Sequence, residues 1–183
     1  ICRDFFRMGK YSMLSIDKVF HASVVLKNIV RDTTIVPTEG ITEDCQLFLK
    51  PENLQKTGSF KLRGSGYKIS MLSDEEKQRG VIACSAGNHA QGVALAATKS
   101  GVNSIICLPD SAPISKIEAT KRYGAQVCLV EGVYDDAYNR ALELKEERGY
   151  TFVHPFDDED VIAGQGTIGL EIVQEMNDVD AVI

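Results

Sequence analysis

VIACSAGNHAQG, residues 81–92, indicates the fold more directly than any other stretch of the chain. Its first four residues are apolar and predict a short buried strand. The small residues Ser85, Ala86 and Gly87 predict a tight turn, and a helix is expected to begin near Asn88. Backbone N–H groups at a helix N-terminus bind anions, so the turn is a candidate site for a phosphate or a carboxylate. A structural turn capped by Asn88 explains the pattern equally well.

The same alternation of strand and helix continues through residues 73–183. Ser73 opens a capping-box pattern for a helix that stops at Gly80, and further helices are closed by glycines. The helix from Tyr134 has an apolar face at offsets 0, 3, 4, 7 and 8, which includes Ala137 and Leu142. The other predicted strands are 104–108, 126–130 and 151–154, and the closing glycines are Gly101, Gly124 and Gly149.

Nearly all-apolar strands between amphipathic helices predict parallel pairing by right-handed crossovers. The fold class expected is therefore α/β, with open, mostly parallel sheets and helices on both faces. The first 72 residues differ, since they predict a helix at 16–28 and an edge strand at 45–50. Residues 178–183, DVDAVI, are expected to begin another strand.

Composition excludes several classes of function. The 183 residues carry a net charge of -6 and no basic stripe, which argues against a nucleic-acid partner. No apolar run predicts a membrane span or a secretory signal. The five cysteines form no CxxC pair, so we expect no metal site and a reducing, cytoplasmic location. The chain opens on Ile1 rather than Met, and we expect a fragment whose natural start is near Met13.

A second candidate site is the run of residues 56–64, KTGSFKLRG. Thr57 or Ser59 can cap a helix that opens around Phe60, so Lys61 would project from its first turn. Glycines at 58, 64 and 66 leave room for a bulky ligand near the backbone. A buried lysine loses its proton more readily, which a Schiff-base lysine requires. The alternative is an ordinary surface lysine, and the sequence leaves burial open.

A third segment, residues 161–167, reads VIAGQGT. It is expected to open the helix that carries Ile168, Leu170 and Ile172. The glycines on either side of Gln165 indicate close packing against a neighbour or a ligand. Simple packing at a helix start is the alternative.

In their order along the chain, these segments resemble the serine/threonine dehydratases of the fold-type-II pyridoxal-phosphate enzymes, which have a tryptophan synthase β-like fold. The resemblance runs from about Pro37 to Ile183. It includes the stretches 56–64, 85–92, 116–120, 154–156 and 164–167.

The resemblance implies a role for each matching residue. Lys61 would form a Schiff base with pyridoxal 5'-phosphate, and Phe60 would lie against the cofactor ring. Asn88 would bond the ring hydroxyl oxygen. The residues implied for the substrate carboxylate are Ser85, Ala86, Gly87, Asn88 and His89. No metal is implied.

The implied reaction is a β-elimination in which Lys61 takes the α-proton of an amino acid and a 2-oxo acid and ammonia are released. The pattern of residues 85–92 is most similar to threonine dehydratases, which places L-threonine ahead of L-serine. Serine racemases of the family carry a second serine where this chain has Ala86, and alanine has no proton to give. The alternatives are racemisation, another fold-type-II reaction such as those of threonine synthase, cysteine synthase or diaminopropionate lyase, and an inert fragment or ligand-binding module.

The resemblance also implies a domain organisation. Residues 1–12 are an uncertain extension, 13–64 and 156–183 belong to a large cofactor-binding domain, and 65–155 form a small α/β domain. The glycine-rich loop that holds the cofactor phosphate would follow residue 183, so the fold is expected to be incomplete at its C-terminus. A homo-oligomer, dimer or tetramer, is expected. A regulatory domain, and a biosynthetic role on the route to isoleucine as against a catabolic one, stay open.

Overall fold

A computed structural model of the protein describes residues 14–39 and 45–183. The predicted extension at 1–12 and the start at Met13 lie outside the described residues. The helices are α1 (Ile16–Leu26), α2 (Lys61–Ser70), α3 (Asp74–Arg79), α4 (Asn88–Lys99), α5 (Ile114–Arg122), α6 (Tyr134–Arg148) and α7 (Glu159–Glu175). The strands are β1 (Val36–Pro37), β2 (Phe48–Leu49), β3 (Val81–Cys84), β4 (Ser104–Pro109), β5 (Gln126–Val130) and β6 (Thr151–Phe152).

Four strands form a parallel sheet in the order β5-β4-β3-β6. Val81 pairs with Ser104 of β4 on one side and with Thr151 of β6 on the other. β3 is buried along its whole length because it is central in the sheet and covered on both faces. β1 and β2 form a separate antiparallel pair.

Helices cover both faces of the parallel sheet, as predicted. Ile82 and Cys84 point towards α6 and pack with its Ala137 and Ala141. Side chains alternate along a strand, so Val81 and its neighbour Ala83 face the opposite side, where α4 packs. The predicted α/β fold class is therefore confirmed.

A second layer of helices lies beyond α4. α2 contacts α4 on one side and α7 on the other, and α1 packs on both α2 and α7. Ala22 and Leu26 of α1 meet Tyr67 of α2 and Ala163 of α7 in a small buried cluster. The predicted domain boundary at residues 64 and 65 lies inside α2, and the division into two domains stays a prediction.

Glycines let the α2 backbone approach its two neighbours closely. A Cβ on Gly164 of α7 would lie 2.6 Å from the carbonyl oxygen of Arg63, and one on Gly64 would lie 2.8 Å from a methyl of Val161. On the α4 side, a Cβ on Gly92 would lie 3.1 Å from the carbonyl oxygen of Lys61. The predicted close packing around Gly164 is confirmed, and its partner is the backbone of α2.

Capping residues and glycines in the sequence predicted several helix ends correctly. Ser73 and Glu76 form the predicted capping box of α3, which ends at Gly80. The predicted closing glycines Gly101, Gly124 and Gly149 all have positive φ, the backbone conformation that favours glycine. α6 begins at Tyr134 as predicted, but Leu144 is buried more deeply than the predicted Leu142.

Other boundaries agree with the predictions only in part. The segment 161–167 was expected to open α7, and the helix begins two residues earlier, at Glu159, because the Asp158 side chain accepts the N–H groups of Asp160 and Val161. α4 begins at Asn88, as predicted, but its N-cap is Gly87 and not Asn88. The predicted strands at 151–154 and 45–50 shorten to 151–152 and 48–49, and residues 178–183 form no strand, since a strand exists only where a neighbour pairs with it.

Within the described residues, no helix is both long and apolar enough to span a membrane.

We expect Gly164→Ala to lower the free energy of unfolding by about 1–3 kcal/mol, because the new methyl overlaps the α2 backbone. Gly169→Ala is the matched control on the same helix, since no atom of the described residues lies within 4 Å of its Cβ position. It should leave stability unchanged or raise it by up to about 1 kcal/mol through helix propensity. Urea unfolding of both variants makes the comparison, and equal stability would contradict the close crossing of α2 and α7.

Candidate active site

Lys61 is the first residue of α2, as predicted. Of the two predicted capping residues, Ser59 supplies the hydroxyl, which accepts the backbone N–H of Lys61 at 3.3 Å, while Phe60 holds the N-cap position. The Lys61 amine donates to the carbonyl oxygen of Pro155 at 2.8 Å. It also lies 5.3 Å from the centroid of the Phe60 ring.

The surroundings of the Lys61 amine make it easier for the amine to lose its proton. The side chain is partly buried, and burial lowers the pKa of Lys61 from its ordinary value of 10.5. In the described part of the chain, no carboxylate forms an ion pair with this amine. A lysine that is desolvated without a counter-charge is suited to act as a nucleophile or a base.

The turn after β3 has the geometry predicted for an anion site. The Ser85 backbone N–H donates to the carbonyl of Cys107, which continues the sheet by one residue. The Ser85 hydroxyl then accepts the N–H of Gly87 at 3.1 Å. α4 begins at Asn88, where the first N–H groups of a helix have no partner within the helix. Ser85, Ala86 and Gly87 are half-buried and Asn88 is exposed, so the turn is open to a small ligand.

His89 follows this turn in the sequence and is 3% exposed. Its Nε2 donates to the carbonyl oxygen of Val153 at 2.9 Å. Burial lowers the pKa of His89 from 6.5 to about 4, and the nearby Lys61 charge acts in the same direction. Within the described residues, its buried Nδ1 has no hydrogen-bond partner. His89 is therefore neutral at physiological pH, with one ring nitrogen available as an acceptor.

The segment 153–155 joins the two predicted sites. The carbonyl of Val153 accepts from His89, and the carbonyl of Pro155 accepts from Lys61. The structure thus brings Lys61 and His89 together across the chain, with Phe60 beside the amine. Phe60 and Asn88 are exposed, and the roles implied for them, as for residues 85–89, stay predictions.

Sequence reasoning missed the two carbonyls that organise this site. It included residues 154–156 in the resemblance but gave them no role. A backbone carbonyl is present at every residue, so residue type carries no signal for it. Proline at 155 was the available hint, because it fixes φ and shapes a turn.

Arg63 anchors α2 from its buried side. The guanidinium is fully buried and makes paired hydrogen bonds to the carboxylates of Glu52 and Glu171, at 2.6–2.9 Å. Burial alone would raise the pKa of Glu52, but hydrogen bonds from Arg63 and Thr33 hold that pKa below its ordinary value. The ion pairs fix the helix two residues beyond Lys61.

One group of acidic side chains resembles a metal site in its spacing. Oxygens of Asp32, Glu171 and Glu175 lie within 4.8 Å of one another. The Lys50 amine already pairs with Glu171 at 2.8 Å and with Glu175 at 2.7 Å. Glu171 and Glu175 therefore serve the ion-pair network.

Comparison with known proteins assigns the family. The sequence profile of the family described as "Pyridoxal-phosphate dependent enzyme" matches residues 26–183. The chain is 50% identical over 173 residues to the L-threonine ammonia-lyase of Thermotoga maritima, across 93% of this chain and 43% of that protein. It is 45% identical over 172 residues to a catabolic L-threonine dehydratase of Escherichia coli strain K12, across 93% of this chain and 52% of that protein.

Solved structures of a serine racemase and a threonine deaminase are also similar to the chain. Maize serine racemase superposes with a TM-score of 0.88 at 34% identity, over 91% of this chain and 51% of that one. A threonine deaminase from Solanum lycopersicum superposes with a TM-score of 0.83 at 38% identity, over 90% of this chain and 47% of that one. The chain therefore spans about half the length of the proteins that it matches.

We expect the lowered pKa of His89 to cost stability in acid. Above pH 6.5, its ordinary value, His89 is neutral in the folded and unfolded states alike and adds no pH dependence. As the pH falls from there towards about 4, the unfolded chain takes up the proton first and the folded state is disfavoured. Between about pH 7 and about pH 5, the free energy of unfolding should fall by about 2 kcal/mol.

His89→Gln tests this expectation, because its amide can still donate to Val153 but does not titrate. From the higher to the lower pH, the free energy of unfolding measured in urea should fall by about 2 kcal/mol less for the variant than for the wild-type protein. An identical acid loss in both proteins would contradict the neutral, buried state of His89.

Proposed function

The chain belongs to the family of pyridoxal-phosphate-dependent enzymes, and we propose that the whole protein converts L-threonine to 2-oxobutanoate and ammonia by β-elimination. L-Serine, giving pyruvate, is the proposed second substrate. One observation carries the proposal: the partly buried Lys61 amine, which has no counter-charge among the described residues, and His89 of the open turn at 85–89 both bind carbonyls of the segment 153–155. Relatives at 45% and 50% identity whose names state this activity support it.

The residues around Lys61 fit pyridoxal phosphate. A Schiff-base lysine needs an amine that loses its proton easily, and burial lowers the pKa of Lys61. Phe60 is 38% exposed beside the amine and offers an aromatic surface to a ring. Asn88, at the exposed start of α4, offers an amide to the ring hydroxyl. When bound there, the cofactor supplies an electron sink that makes the α-proton of an amino acid acidic.

The chain's own residues supply position and proton transfer. The free N–H groups at the start of α4 and the turn formed by Ser85, Ala86 and Gly87 bind the substrate carboxylate. His89 is neutral, so it adds no charge that would compete with this anion, and it holds the segment that carries the Lys61 acceptor. The Lys61 amine takes the proton from Cα, and the β-hydroxyl leaves with one proton as water. The enamine that remains takes up water and gives the 2-oxo acid and ammonia.

Ala86 favours elimination over racemisation. Racemisation needs a second acid or base on the opposite face of the substrate, to return the proton with inverted geometry. Ala86 has no group that can exchange a proton. The racemase activity of a structural neighbour therefore stays the second candidate.

The organisation of the whole protein is also part of this proposal. We assign residues 65–155 to a small domain, and 13–64 with 156–183 to a larger cofactor-binding domain. A homo-oligomeric state and a cytoplasmic location go with the proposed activity.

Lys61→Ala should lower 2-oxobutanoate formation from L-threonine by at least about 10³-fold, because it removes both the anchor and the proposed base. The full-length protein should also lose the visible absorbance of the bound cofactor. Lys77→Ala, on α3 and outside the site, is the control and should keep full activity. A Lys61→Ala protein with wild-type turnover would refute the assignment.

Ala86→Ser tests the choice between elimination and racemisation. The wild-type protein should form D-serine from L-serine at less than about one hundredth of its elimination rate, because it lacks the second acid or base. Ala86→Ser should raise D-serine formation by restoring a hydroxyl. Chiral separation of the products measures both rates, and a substantial wild-type D-serine rate would contradict the elimination assignment.

A further inference from the structure

We infer that His154 is a positioning residue for Lys61, because its ring fixes the peptide plane whose carbonyl receives the Lys61 amine. The inference rests on the proposed function, in which that amine is the reacting group. It adds a residue to which neither the sequence pattern nor the site geometry had given a role.

Two hydrogen bonds hold opposite ends of one peptide group. The carbonyl of Pro155 accepts from the Lys61 amine at 2.8 Å. The N–H of Phe156, on the other side of the same peptide bond, donates to Nδ1 of His154 at 3.3 Å. A trans peptide is planar and its N–H and C=O point in opposite directions. Whatever orients the Phe156 N–H therefore orients the acceptor of Lys61.

His154 also removes the remaining freedom of this peptide. The pyrrolidine ring of Pro155 fixes its φ, so rotation about ψ of Pro155 is the main way for the plane to turn. Nδ1 of His154 accepts a second N–H, from Asp157, at 2.7 Å. The two bonds close a turn around Pro155 and resist that rotation. Because Nδ1 accepts both N–H groups, a ring proton lies on Nε2.

Aromatic contacts hold the His154 ring in place. The Phe156 ring lies edge-on to it, with 4.6 Å between ring centroids and an angle of 84°. The Phe152 ring lies 6.1 Å away on the other side along the chain. His154 thus has two separable features, a ring that packs and a nitrogen that accepts, and they can be removed one at a time.

The position of the acceptor matters because lysine has a long side chain with many rotamers. A fixed carbonyl confines the amine to one place, where it meets the cofactor and later the α-proton. A carbonyl is also uncharged, so it orients the amine without the counter-charge that would hold the proton on it.

Two substitutions separate the acceptor from the packing. His154→Phe keeps an aromatic ring but has no acceptor. His154→Asn loses the ring, but its side-chain oxygen can accept the N–H two residues on, as in an Asx-turn. Cofactor capture is measured in the full-length apo-protein by adding pyridoxal phosphate, trapping with borohydride and mapping the modified lysine. This measurement needs no substrate.

The expected result is that His154→Phe slows capture at Lys61 by about tenfold, the effect of losing roughly one hydrogen bond. His154→Asn should stay within about threefold of the wild-type rate. In turnover, His154→Phe should lower kcat more than it raises KM, since the substrate carboxylate site is untouched. Equal capture by all three proteins, or slower capture by His154→Asn than by His154→Phe, would overturn the inference.

If His154→Phe does not fold, Pro155→Gly is the variant that tests the inference. It leaves the His154 ring in place and frees φ at residue 155, so capture should again slow several-fold. Wild-type capture by Pro155→Gly would overturn the inference.

The proposed function can be refuted independently of the role inferred for His154. A wild-type protein that captures the cofactor at Lys61 but forms no 2-oxobutanoate would refute the threonine reaction. The capture rates of the His154 variants would still decide whether this residue positions the amine.

Discussion

The close packing of α2 between α4 and α7 is the constraint on which the rest of the structure depends. Gly92 faces the backbone of Lys61 from α4, and Gly164 faces the backbone of Arg63 from α7. A side chain at either position would push the helices apart, because interiors close-packed to this degree do not absorb an added methyl without displacement. Because of this double contact, the N-terminus of α2, and with it Lys61, has one fixed position relative to the parallel sheet.

The fixed position of α2 gives its two basic side chains opposite environments. Arg63 is buried between Glu52 and Glu171, where paired hydrogen bonds compensate its charge and make it an anchor. Lys61, two residues earlier, leaves the helix on another side and finds only the Pro155 carbonyl as a hydrogen-bond partner among the described residues. The two basic side chains thus differ in environment, because Arg63 has counter-charges and Lys61 has none among the described residues.

Much of the fold and part of the site could be predicted from the sequence. Strand β3, the start of α6 and the capping box at Ser73 follow from patterns a few residues long, and the structure bears them out. The helix start at Lys61 also follows from its local segment. The start of α7 was predicted two residues late, because the sequence analysis considered the glycines of the segment 161–167 and not the capping side chain of Asp158. The implied roles of Phe60 and Asn88 depend on a cofactor's position and stay predictions.

The sequence by itself determined the element types, the α/β class and which lysine to consider. Those properties depend on periodicity and turn chemistry within a short window, which a single sequence displays directly. Only the tertiary structure decided that the Lys61 side chain is partly buried and that its amine binds the carbonyl of Pro155, 94 positions away. It alone placed His89 against Val153, 64 positions away, and His154 behind the acceptor of the lysine. The physical reason is that burial and backbone acceptors arise from where segments meet, and every residue offers the same carbonyl until the fold selects one.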